Sequence, residues 1–252
     1  MTAGAAPISD ATRRSIFLLS LATFSSMAAQ RICDAMLPEL SRVFAVSLTH
    51  AAQVVSMFAV VYGLSQLFYG PLGDRLGKFR IVTYATLWCS VGSVMAIFAA
   101  SLDMLLVARV TVALGAGAII PLSMAWTGDA APPDQLQETL ARIGLGTTLG
   151  IVGGQLMGGL LTDTLGWRWA FGFMALLFGV VGLLLLRDWR RQQAASSDAD
   201  QRPVARPAFV AQARAILSDR WSRMVLLTGF VEGAVGFGVL AIWASHLHAV
   251  EG

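Results

Sequence analysis

Apolar residues run through this chain in long blocks, separated by short polar or glycine-rich breaks. The blocks fall near residues 16–38, 51–69, 81–100, 104–126, 143–161, 167–186 and 224–245. Each approaches the roughly 20 residues that an α-helix needs to cross a bilayer. The pattern predicts an all-α fold, a polytopic membrane helical bundle of seven spans. The first block is not a signal peptide: it is too long, lacks a small-residue cleavage site and is followed by further spans.

Most breaks are short, as expected between neighbouring helices of a bundle. Residues 188–222 differ, being rich in Arg, Gln, Ala, Asp and Pro. They read as a cytoplasmic linker, with an amphipathic helix around residues 208–218 lying on the membrane surface. The chain then divides into a tail (1–15), a six-span unit (16–187), the linker (188–222) and the first span of an incomplete second unit (223–252).

An internal repeat organises the six-span unit. Gly70, Leu72, Asp74, Leu76 and Gly77 return 89 residues later as Gly159, Leu161, Asp163, Leu165 and Gly166. Each copy is expected in a short turn between two spans. Three spans separate the copies, and an odd number places them on opposite membrane faces. Two inverted three-helix repeats are a hallmark of secondary transporters.

Composition agrees with a membrane protein. The chain is 56% hydrophobic and 13% charged, against about 25% charged in an average soluble domain. The net charge of +3 does not indicate a nucleic-acid partner, because 14 of the 18 Lys and Arg residues fall on one side of the expected topology. Such a bias marks the cytoplasmic face and places the N-terminus there, in a cell inner membrane. Cys33 and Cys89 fall within spans without metal-site spacing, and His246 and His248 lack further ligands. No metal site or cofactor is expected.

With these features in place, the chain resembles the major facilitator superfamily, and within it the bacterial proton-driven efflux permeases. That family's loop motif between spans two and three is matched by Gly70, Leu72, Asp74, Arg75, Gly77, Lys78 and Arg80. The resemblance implies a latch in which Asp74 and its basic neighbours steady one access state. Asp74 also suits the positive end of a following helix. The span-four motif is matched in part: Arg109, Gly115, Gly117 and Pro121 fit, while Val112 and Ala113 replace a Gln and a Gly. Family likeness implies a part for Arg109 in proton coupling. Span five resembles the antiporter motif through Gly150, Gly154, Gly158 and Gly159, with Gln155 where a Pro belongs. Gly146 extends these to an i+4 stripe that lets another backbone approach closely. The family normally has twelve spans, so the chain looks like one half plus a seventh helix.

Ionisable residues inside spans are costly and functional by default. Asp34 and Arg109 are expected at one depth, near the outer face, as a protonatable group and its switchable partner. Arg31 lies one turn from Asp34 and competes for it. A static structural pair and an uncoupled interfacial Asp34 are the alternatives. Glu232 on span seven is a candidate cavity carboxylate, and Arg168 between Trp167 and Trp169 an interfacial anchor. Tyr62, Gln66, Tyr69, Met124 and Trp126 fit either a cavity wall or packing.

The resulting expectation is a proton-coupled exporter of a small molecule working by alternating access, with the lipid bilayer as its medium. It needs a missing C-terminal half or self-association. A transport-incompetent half or an uptake permease are the other outcomes. A retinal protein is excluded, since the sole lysine is Lys78 in a loop. No phosphate-binding loop or nucleophile constellation points to an enzyme.

Overall fold

The computed structural model describes residues 8–196, 218–224, 227, 228 and 231. Its main unit, Met1–Asp200, contains eight helices: α1 (Asp10–Arg31), α2 (Leu37–Val43), α3 (Leu48–Ala51), α4 (Gln53–Leu76), α5 (Lys78–Ile97), α6 (Leu102–Ala130), α7 (Leu136–Thr164) and α8 (Trp167–Ser196). Among the described residues, five stretches are long and apolar enough to cross a membrane: Leu48–Leu76, which joins α3 and α4, together with α5, α6, α7 and α8 as far as Ala194. At 22 residues α1 has similar length, but Ser, Thr, Gln and Arg dilute it. Its serines turn inward for partners, Ser20 and Ser25 donating to the carbonyls of Ile16 and Leu21, which makes them tolerable in an apolar setting.

Helix starts follow local capping. Ser9, Ser47 and Ser101 accept from the backbone N–H of Thr12, His50 and Met104 at the heads of α1, α3 and α6. A side-chain oxygen there satisfies one of the donors that a first helical turn leaves open.

Three boundaries depart from the sequence pattern. The first span was expected to continue to residue 38, but α1 stops at Arg31 and residues 32–36 form turns before α2, whose Pro38 suits a first helical turn. The loop motif was expected in a short turn. Instead Gly70–Leu76 completes α4 and Lys78 begins α5, so the turn is Gly77 alone, at φ +93°. The second copy repeats this: α7 reaches Thr164, and Gly166 at φ +97° precedes α8. A positive φ suits glycine at both corners. Finally, α8 continues helical past residue 187 to Ser196, held there by bonds described below. Glu232, nearly all of the amphipathic segment and all of the seventh span except residues 224, 227, 228 and 231 lie outside the described residues. In the second unit, Asp219 accepts from the backbone N–H and hydroxyl of Ser222, both at 2.8 Å. That capping pulls its carboxyl below the ordinary aspartate value.

The two motif copies sit at opposite ends of the bundle. Lys78 starts α5, whereas Arg168, just past the second copy, donates to the carbonyls of Ile97 and Ala99 at the far end of α5. The 20 residues between span about 30 Å.

At the centre stands α6, packed on α1, α4, α5 and α7. It buries 61% of its most apolar stretch, against 22% for the Leu48–Leu76 stretch and for α7. Side chains from three neighbours donate to its carbonyls: Trp88 to Thr111 (3.0 Å), Tyr69 to Leu114 (2.6 Å) and Ser26 to Ala116 (3.2 Å). Interhelical bonds of this kind stabilise bundles where apolar burial cannot. Leu64, Leu67 and Phe68 of α4 and Leu149, Leu156 and Leu160 of α7 stay exposed.

The expected glycine stripe is the α1–α7 interface. A Cβ at Gly146, Gly150, Gly154 or Gly158 would come within 2.5 Å of the carbonyl oxygen of Ser20, Phe24, Ala28 or Ile32 respectively. Both series step by four residues, so two helix faces run in register with backbone on backbone. Gly144, off this face, has nothing within 4 Å of a built Cβ. Gly154→Ala is therefore expected to lower the unfolding midpoint in detergent, at an overpacking cost of about 1–3 kcal/mol, while Gly144→Ala leaves it unchanged or raises it. Equal midpoints for the two variants would contradict the interface.

Candidate functional site

The deepest charge in the unit is Arg109, on α6 two turns below the Ser101 cap and 1% exposed. Its guanidinium reaches across to two other helices. Nη1 donates to the Ala29 carbonyl of α1 at 2.7 Å, and Nε to the Val54 carbonyl of α4 at 3.3 Å. Its plane lies 4.1 Å from the ring centroid of Phe58, which stacks in turn on Tyr62 at 6.0 Å. The remaining nitrogen, Nη2, is buried with no hydrogen-bond partner. A desolvated guanidinium with two carbonyls, an aromatic face and one unsatisfied donor can accept an anion.

Asp34 lies in the turn after α1. It pairs with Arg31 at 3.4 Å, both side chains being partly exposed. The sequence placed Asp34 inside a span and opposite Arg109, and here the structure differs. Once α1 ends at Arg31, Asp34 leaves helical register and meets its chain neighbour instead. Arg109 makes no ion pair within 4.0 Å among the described residues. Even so, Arg109 touches α1 at Ala29, five residues before Asp34, so both charges belong to one end of α1. Cys33 between them is buried and unbridged.

The loop motif forms a second charged group at the opposite end. Lys78 Nζ bonds Asp129 of α6 at 2.6 Å and lies 3.9 Å from Asp74. Arg80 stacks 5.6 Å from the Trp189 ring and 5.9 Å from that of Tyr84. A Cβ on Gly73 would meet the Leu122 side chain at 2.5 Å. Lys78 and Gly73 thus seat the α4–α5 corner on the end of α6. Gln155 continues α7 without a break, and Gly159 meets only the Ala35 side chain, at 3.5 Å from a built Cβ. Arg168 lies over the Trp167 ring at 4.4 Å and ties the start of α8 to the end of α5.

One buried charge escaped the sequence reading. Asp188 of α8 is 2% exposed and accepts from Arg14, Ser15 and Gln192, with Arg14 Nε at 2.7 Å, Ser15 Oγ at 2.6 Å and Gln192 Nε2 at 2.9 Å. It ties the start of α1 to the end of α8. Its signal was hidden among Arg187, Arg190 and Arg191 in what looked like linker. Among the described residues no His, Cys, Asp and Glu cluster could hold a metal ion.

The sequence profile of the Major Facilitator Superfamily matches residues 19–252. The chain belongs to this superfamily. Curated relatives include the multidrug export protein EmrB of Haemophilus influenzae, 27% identical over 192 residues, covering 76% of this chain and 37% of that protein. EmrB of Escherichia coli K12 is 28% identical over 167 residues, 66% of this chain and 32% of that one. A crystal structure of the peptide transporter POT in complex with sulfate superposes with a TM-score of 0.65 at 19% identity, over 94% of this chain and 47% of that one. A bacterial homologue of the lysosomal transporter Spinster, inward-facing and unoccupied, gives 0.59 at 22% identity, over 79% and 46%. The chain thus spans about a third of the curated relatives' length and about half of the solved chains. The superfamily is one of multi-pass membrane transporters, not enzymes.

Removing Asp188 takes away an acceptor shared by Arg14, Ser15 and Gln192, although Ser15 keeps the Ala11 carbonyl and Arg14 is 44% exposed, so the loss falls between the about 3–5 kcal/mol of a buried pair and the about 1 or less of an exposed one. Asp188→Ala is expected to lower the unfolding midpoint clearly more than Glu138→Ala, which removes the exposed pair with Arg142. Equal shifts would show that the cluster contributes no more than surface charge.

Proposed function

We propose that this chain is part of a proton-coupled transporter that exports a small molecule by alternating access, in a cell inner membrane with the N-terminus cytoplasmic. The observation carrying this reading is the buried Arg109 guanidinium with its unsatisfied Nη2, held against α1 five residues from a carboxylate that is only loosely paired. Asp34 carries the proton. When ionised, it pairs with Arg31 or, as the outer end of α1 shifts, with Arg109; when protonated, it releases both. Each exchange of partner biases which side of the membrane is open. The second wall of the substrate path comes from a further half or a second copy, with Glu232 as a cavity carboxylate and the Asp74–Lys78–Asp129 corner as the latch of one access state. Export is favoured over uptake by the names of the relatives, which are multidrug export proteins.

The test uses the full-length protein in vesicles under an imposed proton gradient. Asp34→Asn is expected to reduce gradient-driven substrate flux to that of empty vesicles while leaving substrate binding intact. Arg109→Gln should do the same, and Arg31→Gln should retain flux with an altered pH profile. Unchanged proton-linked flux in Asp34→Asn would refute the coupling assignment, and gradient-driven accumulation in the opposite direction would refute export.

A further inference from the structure

The backbone contact between α1 and α7 ends in a way that bears on Asp34. Its four steps set Gly146, Gly150, Gly154 and Gly158 against the carbonyls of Ser20, Phe24, Ala28 and Ile32, and the approach is tightest at the last pair. One further step of four on each helix would bring position 162 against the carbonyl of Met36. Position 162 is not glycine. It is Thr162, still within α7 and buried. A straight continuation of α1 would drive a carbonyl oxygen against the Thr162 Cβ, well inside van der Waals contact.

The chain avoids that clash by leaving the α-helix. Ile32 N–H bonds the Ala28 carbonyl at 2.9 Å, the four-residue step of an α-helix. Asp34 and Met36 N–H then bond the carbonyls of Arg31 and Cys33 at 3.1 and 3.2 Å, in three-residue steps. Pro38 does not explain this change. A proline disfavours the helical state at the residue before it and forfeits a bond four residues back, which would still let α1 run to Met36. Thr162 itself stands apart on α7. Thr139, Thr147, Thr148 and Thr164 each donate to the carbonyl four residues back, the usual arrangement for a helical threonine. The Thr162 hydroxyl is buried with no hydrogen-bond partner, so no local bond accounts for a threonine here.

Where α1 stops decides where Asp34 can stand. Arg109 meets α1 at the Ala29 carbonyl. In a continued helix, at about 100° per residue, position 34 would project about 140° round from position 29, on a face turned away from Arg109. In the turn, Asp34 is free of that face and meets Arg31 at 3.4 Å. Its backbone can reorient there without disturbing the packed length of α1.

We propose that Thr162 is a positioning residue for Asp34: its Cβ ends α1 at Arg31 and so leaves the carboxylate free to change partner. This rests on the reading of Asp34 as the proton carrier, but the helix end can be read without transport.

The test uses the full chain in detergent, following the 13C Cα shifts of Ala35 and Met36 and amide exchange over residues 33–36. Thr162→Gly removes three heavy atoms two residues before the end of α7, where glycine is tolerated; circular dichroism checks that the helices remain. This variant should move both shifts toward helical values and slow exchange about fivefold, as one added backbone hydrogen bond gives. Thr162→Ala keeps the Cβ and loses the hydroxyl, and should leave both readings as they are in the unaltered chain. Unchanged readings in Thr162→Gly, or equal changes in the two variants, would overturn the proposal. In vesicles carrying the full-length protein, Thr162→Gly should lower gradient-driven flux toward that of empty vesicles while Thr162→Ala retains it. A lengthened α1 with undiminished flux would refute the role of the stop in coupling, whereas Asp34→Asn tests the proton carrier by itself.

Discussion

In the main unit, Met1–Asp200, the placement of α1 rests on one contact without side chains. Along α1 and α7, four glycines meet four carbonyls in matching steps of four, so the helices touch backbone to backbone. In lipid the hydrophobic effect does not draw helices together, and close packing takes its place. The contact fixes α1 along most of its length. It therefore fixes the Ala29 carbonyl that holds Arg109 and the end of α1 from which Arg31 and Asp34 project.

A second constraint is the treatment of α6. Its carbonyls accept from α1, α4 and α5, while its own Arg109 donates outward to α1 and α4. Traffic in both directions makes α6 a post that the other helices are pinned to. The buried cation is tolerated because two carbonyls and the Phe58 ring replace much of its water. Replacement is incomplete, since Nη2 is buried with no hydrogen-bond partner. A fully satisfied arginine would be a rivet.

How much was legible in the residues follows from what each feature depends on. The second to sixth spans, the glycine stripe and the repeat depend on spacing along the chain, and periodicity exposed them before any coordinates. Even the two positive-φ corners fall on the glycines that close each motif copy. Features that depend on which helix stands beside which were out of reach. Phe58 under Arg109 and Ser15 beside Asp188 are neighbours only after folding. Asp34 was misplaced for a different reason. Ile32, Cys33, Ala35, Met36 and Leu37 carry the apolar run on past Gln30, Arg31 and Asp34, so the spacing does not mark the stop at Arg31. Its pairing with Arg31 instead of Arg109 follows from that one boundary.

The Asp188 cluster also carries information about time. Arg14 and Asp188 are 174 residues apart in the chain. At a synthesis rate of about 5–20 residues per second, the arginine waits roughly 9–35 s for its carboxylate. Until α8 has emerged, the first turn of α1 has no anchor, and every intervening helix has already been made. Closure between the first and last helices thus coincides with completion of the unit.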